Sequence, residues 1–161
     1  MRFFRHSGVR VTLAEAGDAP ALADLYERAW DGCEGLISEH AVAVARPSAE
    51  DLAAWLEGGF EIYRVAADAR LVGAVRCSFP TSTCLLDSLA VDPDSRRRGI
   101  GRSLVDHVIA RARRAGVARV WTAVNPGLVE FAGLFAEAGF RETTRLGSDE
   151  DRAVILLELP V

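Results

Sequence analysis

The stretch Leu85–Arg102, LLDSLAVDPDSRRRGIGR, decides how this chain is read. An apolar run through Leu89, Ala90 and Val91 meets the Asp92-Pro93 turn. Arg96, Arg97 and Arg98 follow, then Gly99-Ile100-Gly101, and an amphipathic run from Ser103 to Ala115 begins at once. The pattern is strand, turn, glycine bend, helix. A helix start offers unpaired N–H groups and the positive end of a dipole. Glycines ahead of it let the backbone close on a bulky anion, and arginines add counter-charge. The segment is read as a cradle for a phosphate or pyrophosphate.

Neither of the common phosphate loops fits. A Walker loop needs Gly-Lys-Ser/Thr, and the chain contains no lysine. The dinucleotide fingerprint needs a third glycine where Leu104 stands.

Composition narrows the class. The chain has 161 residues, half of them apolar, which is enough for one domain with a full core, taken as residues 1–161. A net charge of −4 argues against a general nucleic-acid binder, yet seven arginines fall between Arg96 and Arg114, around the proposed anion site. The three cysteines, Cys33, Cys77 and Cys84, have no metal-ligand spacing and form no disulfide framework. Asp92-Pro93-Asp94 reads as a capped turn rather than a metal site, so no metal is expected. No apolar run reaches the ~18 residues of a membrane span, and the first residues lack a signal-peptide core. A cytoplasmic protein is expected.

The element order follows from periodicity and breakers. A strand is expected over Val9–Leu13, then a helix that begins near Pro20 and is capped by Asp18, with Leu22, Leu25 and Tyr26 on one face and Trp30 beyond. Asp31 to Arg46 is ambiguous. Ser48 with Asp51 signals a capped helix to Glu57. Glu61–Ala67 and Leu71–Phe79 form a hairpin, and Cys84–Val91 a further strand. Helix Gly101–Ala115, strand Val117–Val124, helix Leu128–Ala138 and strands Phe140–Arg145 and Val154–Leu159 complete the series. The expected fold is α/β: a mixed, mostly antiparallel central sheet with flanking helices.

The R-x-x-G-x-G pattern of Arg96, Gly99 and Gly101, after a strand ending Leu-Ala-Val-Asp-Pro, resembles the acetyl-CoA-binding core of the GNAT superfamily of N-acetyltransferases. The element order is similar too, so the resemblance covers nearly the whole chain and is specific from about Leu85 to Phe140. It implies a GNAT-like acyl-CoA N-acyltransferase fold and acetyl-CoA as cosubstrate. It implies that the backbone of Leu89, Ala90 and Val91 pairs with the pantetheine arm, and that the amides from Arg97 through Arg102, Ile100 included, wrap the pyrophosphate. Gly99 and Gly101 then serve because a Cβ would intrude on the phosphates. The side chains of Arg96, Arg97 and Arg98 point to solvent or to the adenosine phosphate.

The chain departs from its relatives downstream. Ribosomal-protein acetyltransferases of this superfamily carry a glutamate base, an asparagine and a tyrosine acid where this chain has Ala123, Leu128 and Phe135. In that register Phe135 lies at the cofactor. Asn125, three residues early, could replace the asparagine as a cofactor contact if the loop is rearranged. An amine with a pKa near ~10 must lose a proton before attack, so a base matters more than an acid. Asp87 is the candidate, on the cofactor strand with the parity of Leu89 and Val91; its alternative is a carboxylate facing solvent or paired with an arginine. His107 reads as an ordinary helix histidine, Tyr26 and Trp30 as core or acceptor cleft, and Glu34 and His40 as loop residues that could touch substrate.

Three functions compete at this level. The first is an N-acetyltransferase moving an acetyl group to a primary amine, on a small molecule or peptide, by direct attack. The second is a non-catalytic acyl-CoA-binding regulatory module, and the third a nucleotide-phosphate binder of another fold. The resemblance leaves room for a homodimer; no nucleic acid or membrane partner is expected.

Overall fold

The computed structural model describes residues 8–33, 45–147 and 153–161. Glu34, His40 and the acids Asp149, Glu150 and Asp151 lie outside the described residues.

Alternation builds one sheet. Strands β1 (Val11–Leu13), β2 (Glu61–Ala67), β3 (Arg70–Ser78), β4 (Thr83–Val91), β5 (Arg119–Val124), β6 (Arg141–Leu146) and β7 (Val154–Pro160) lie in the order β1-β2-β3-β4-β5-β7-β6. Every neighbouring pair is antiparallel except β4–β5. Helices α1 (Ala19–Trp30), α2 (Ala49–Glu57), α3 (Ile100–Ala115) and α4 (Val129–Glu137) flank it. This is the expected mixed, mostly antiparallel α/β fold.

The sheet has a core on each face. Leu104, Val105, Val108 and Ile109 of α3 pack with Val75, Cys77, Cys84 and Leu86. Full burial of such side chains contributes roughly 1.5–3 kcal/mol each. On the other face Leu22, Leu25 and Tyr26 of α1 pack with Leu52 of α2, Ile62 and Ala74. The local signals explain the boundaries. Ser48 and Asp51 exchange side-chain and backbone hydrogen bonds at the start of α2. Gly116, at φ +71°, ends α3 with its N–H on the Ala112 and Arg113 carbonyls.

Some boundaries differ from expectation. Asp18 precedes α1 but makes no capping bond to it. Its carboxylate instead accepts the Glu15 N–H at 2.8 Å and Arg64 Nε at 2.9 Å, so an ion pair to β2 outcompetes the cap. The strand expected from Val117 starts at Arg119, because the Val117 N–H is still bonded to the Ala112 carbonyl of α3.

Candidate functional site

Parallel β4 and β5 pair only over Thr83–Arg119, Cys84–Val120 and Leu85–Trp121. Beyond Leu85 the two strands have no pairing. β4 continues against β3 as far as Val91, and β5 against β7 as far as Val124. A wedge therefore opens in the sheet, lined on one side by the free edge of β4. The carboxyl ends of both parallel strands face its mouth, the position where open α/β sheets place ligands. The starts of α3 and α4 follow from those two ends.

The turn into α3 is shaped for an anion. Arg97 has φ +63° and Gly99 φ +78°, so two left-handed residues curl the chain just before the helix. Ser103 N–H, bonded to the Gly99 carbonyl at 3.0 Å, makes the first i−4 bond of α3. The N–H groups of Ile100, Gly101 and Arg102 precede it, without such partners, at the positive end of the dipole. Such a concave run of amides is a general anion cradle.

The glycines act differently from expectation. Gly99 is required by its left-handed conformation. At Gly101 a Cβ would meet Leu134 Cδ2 at 3.3 Å and Val91 Cγ2 at 3.6 Å, so its smallness seats α3 between β4 and α4. Arg96 is exposed, and its guanidinium donates to the Ala29 carbonyl at 2.8 Å, which ties the bend to the end of α1. Arg97 and Arg98 are exposed beside the cradle, and Arg102 pairs with Asp106 one turn on.

Asp92 fixes the base of the bend. Its carboxylate, 2% exposed, caps the Asp94 N–H at 3.0 Å and binds Arg28 at 2.9 Å and Arg70 at 3.1 Å. Burial would raise its pKa; the hydrogen bonds from Asp94 and Arg28 and the two positive charges outweigh it and hold the carboxyl below its ordinary value.

The parity of Asp87 is corrected by a bulge. Ala74 pairs with Ala90 but Arg76 with Asp87, so β4 carries one extra residue there, and Ser88 takes φ +49°. Cys84 and Leu86 face α3 before the bulge, and Leu89 faces α3 after it. Asp87 consequently faces α1 and α2, opposite to Leu89. There Arg76 grips both its oxygens at 2.7 Å, and the guanidinium lies over the Trp55 ring at 3.9 Å and the Phe60 ring at 4.6 Å. Tyr26, 1% exposed, donates its hydroxyl to the Ser88 carbonyl at 2.6 Å. Burial, with the Asp87 charge adding, pushes that phenol up. Sequence reasoning leaves Tyr26 between core and acceptor cleft and has no signal for this bond.

The remaining candidates are spread over the ends of β5 and α4 and the two cores. Asn125 Oδ1 accepts the Gly127 N–H at 2.8 Å, an Asx turn leading into α4. Ala123 is exposed, Leu128 precedes α4, and Phe135 is 2% exposed and edge-on to Phe140 at 5.2 Å. Trp30 of α1 stacks on Phe131 of α4 at 5.8 Å. Cys77 and Cys84 are free, fully buried and on the α3 face. The hydrogen bond to Cys84 and burial push the Cys77 thiol up. His107 lies against Tyr63, ring centres 4.4 Å apart and tilted by 55°. Glu61 binds Arg111 through both oxygens and accepts the Tyr63 hydroxyl, joining α3 to β2.

Comparison with known proteins bears on the family and the fold. A family model described as acetyltransferase (GNAT) family matches residues 19–140. The chain is 32% identical over 81 residues to a ribosomal protein bS18-alanine N-acetyltransferase of Salmonella typhimurium, covering 50% of this chain and 55% of that protein. It is 39% identical over 59 residues to the protein of the same name from Escherichia coli K12, covering 37% and 40%. The chain thus spans about half the length of the curated relatives it matches. The crystal structure of the ribosomal-protein-S18-alanine N-acetyltransferase from Escherichia coli superposes with a TM-score of 0.76 at 22% identity, over 94% of this chain and 93% of that one. The PaiA N-acetyltransferase of Thermoplasma acidophilum, solved with coenzyme A, gives 0.79 at 17% identity over 96% and 99%. These likenesses establish the fold.

Proposed function

The chain belongs to the GNAT acetyltransferase family, and on that premise we propose that it moves an acetyl group from acetyl-CoA to a primary amine. The carrying observation is the wedge between β4 and β5, whose mouth meets the left-handed bend Arg97–Gly99 and the amide-rich start of α3. An extended, polar arm ending in a pyrophosphate fits such a site: a strand edge to pair with, then a cluster of amides. The amides of Arg97 to Arg102 hold the pyrophosphate, and Leu89, Ala90 and Val91 offer the strand edge. Arg97 and Arg98 are free to meet a further phosphate. Phe135 packs in the core under α4 against Phe140, and Asn125 shapes the turn between β5 and α4.

In the reaction the amine lone pair attacks the thioester carbonyl, the C–S bond breaks, the CoA thiolate leaves, and the second proton of the attacking nitrogen passes to solvent or to the departed thiolate. The thiolate, with pKa about 8.5 by analogy with cysteine, departs without the tyrosine acid that Phe135 replaces. No covalent enzyme intermediate is involved, which fits the full burial of Cys77 and Cys84. The ammonium proton passes to Asp87 through water; each Asp87 oxygen, though bound by Arg76, keeps a second lone pair for that water.

The acceptor is proposed to be the amine of a peptide or protein, as the names of the curated relatives state for those proteins. A cytoplasmic location goes with that acceptor, and among the described residues no helix is long and apolar enough to cross a membrane. Release of CoA thiol on mixing acetyl-CoA with peptides bearing a free N-terminal alanine tests the reading. A second reading, an acyl-CoA-binding module without turnover, is favoured by Ala123, Leu128 and Phe135 at the expected catalytic positions. Acetyl-CoA binding without thiol release on any amine would establish it instead.

A further inference from the structure

Among the described residues, Phe131 alone packs against both cores. The two cores lie on opposite faces of the sheet, and a closed sheet would keep one side chain from touching both. Phe131 lies in the first turn of α4, which follows the end of β5 at the mouth of the wedge. It reaches both faces because β4 and β5 have parted there. On the α1 side it meets Trp30, with ring centres 5.8 Å apart and planes 25° from parallel. Trp30 is the last residue of α1 and is buried, whereas Phe131 is half-buried. An aromatic bridge therefore crosses the split in the sheet from α4 to α1.

Two bonds of α1 set the level of this bridge along the wedge. The carbonyl of Ala29, next to Trp30, accepts from Arg96 at the bend. Tyr26, one turn earlier on α1, reaches the Ser88 carbonyl. The bridge thus stands between the bend and Ser88, level with the edge Leu89–Val91. Asp87 lies on the apex side of it.

We propose that Trp30 and Phe131 form an apolar floor for the pantetheine arm, with the methyl-bearing part of the arm packed on the Phe131 ring. The inference rests on the acetyl-transfer reading above and adds the side chains that select the arm. A strand edge pairs with the amides of the arm but offers nothing to its methyl groups. Those gain from apolar surface removed from water, and a ring offers a large area of it. By closing the split beneath the arm, the floor also turns the opening toward the acceptor face to the apex side, beside Asp87.

The test compares the full chain and Phe131→Ala by calorimetry with two ligands. One is CoA; the other is its phosphoadenosine diphosphate moiety, which keeps the pyrophosphate and lacks the arm. The variant should bind CoA about tenfold more weakly and the armless moiety within about twofold of wild type. Unchanged CoA affinity overturns the floor. Equal losses for both ligands also overturn it, since the bridge would then serve only to seat the bend. Failure of the wild type to bind CoA overturns the acetyl-transfer reading first. Should Phe131→Ala not fold, wild-type proton resonance decides. Cross-relaxation must link the methyl protons of bound CoA to the ring of Phe131, and its absence in a saturated complex overturns the proposal.

Discussion

Gly73 of β3 lies directly beneath Ile100 of α3: a Cβ on Gly73 would stand 2.5 Å from Ile100 Cγ2 and 3.1 Å from Leu104 Cδ1. Ile100 is the first residue of the helix whose opening amides form the cradle, and its branched side chain has little rotamer freedom. Gly73→Ala should therefore lift the first turn of α3. Overpacking of this kind costs about 1–3 kcal/mol. Because the same turn carries the amides, acetyl-CoA affinity should fall together with the melting temperature. Loss of stability with unchanged affinity in calorimetry would show that the cradle does not depend on how α3 is seated.

Gly99 and Gly101 should respond differently to substitution. Gly99 has φ +78°, and a β-branched residue there is strained whatever the surrounding space. Gly99→Val should weaken acetyl-CoA binding by at least about tenfold, or 1.4 kcal/mol. Gly101→Ala places its methyl 3.3 Å from Leu134 Cδ2, at the tip of a flexible side chain that can give way. That variant should bind within about threefold of wild type, less than 1 kcal/mol. Equal losses at both positions, measured by calorimetry, would refute the distinction.

The order of elements was legible because strand alternation, the Ser48–Asp51 cap and the glycines at Gly58 and Gly116 act locally, and the structure keeps those local preferences. The cradle was legible for the same reason: adjacent residues make it. What escaped the sequence depends on distant partners. Ser88 carries no signal for a left-handed conformation, so the parity of Asp87 was counted straight through a bulge that Tyr26 stabilises from α1. By sequence Arg96 stands between solvent and the adenosine phosphate, and its bond to the Ala29 carbonyl, 67 residues away in sequence, has no local signal. Gly73 in a strand gave no clue that a helix end would rest upon it.

His107, packed at a tilt against Tyr63, gives the stability a pH dependence of known sign. Burial, with the Arg114 charge adding and Glu61 opposing, holds the imidazole below its ordinary value of 6.5. The unfolded chain then binds a proton more readily than the folded one, so the contribution is present above pH 6.5 and is lost as pH falls below it. In His107→Phe, which keeps a ring against Tyr63, the fall in melting temperature between about pH 6.5 and pH 5 should be shallower than in wild type. Parallel curves would show that other groups carry the acid sensitivity.

The Arg76–Asp87 pair separates two roles for the carboxylate. If Asp87 takes the ammonium proton through water, Asp87→Asn should lower kcat/KM by ~10²–10⁴ at neutral pH with acetyl-CoA affinity nearly unchanged. The loss should shrink as the pH approaches an amine pKa of ~10, where free amine no longer needs a base. The substitution also leaves the Arg76 guanidinium without its bidentate partner between Trp55 and Phe60, which by itself would disturb this face of the sheet. Arg76→Gln is the control. It removes the clamp and keeps the carboxylate, so a proton-accepting Asp87 should leave this variant far more active than Asp87→Asn, with a pH profile of wild-type shape. If the carboxylate only anchors Arg76, the two variants should lose the same activity at every pH, and the proton must leave by another route.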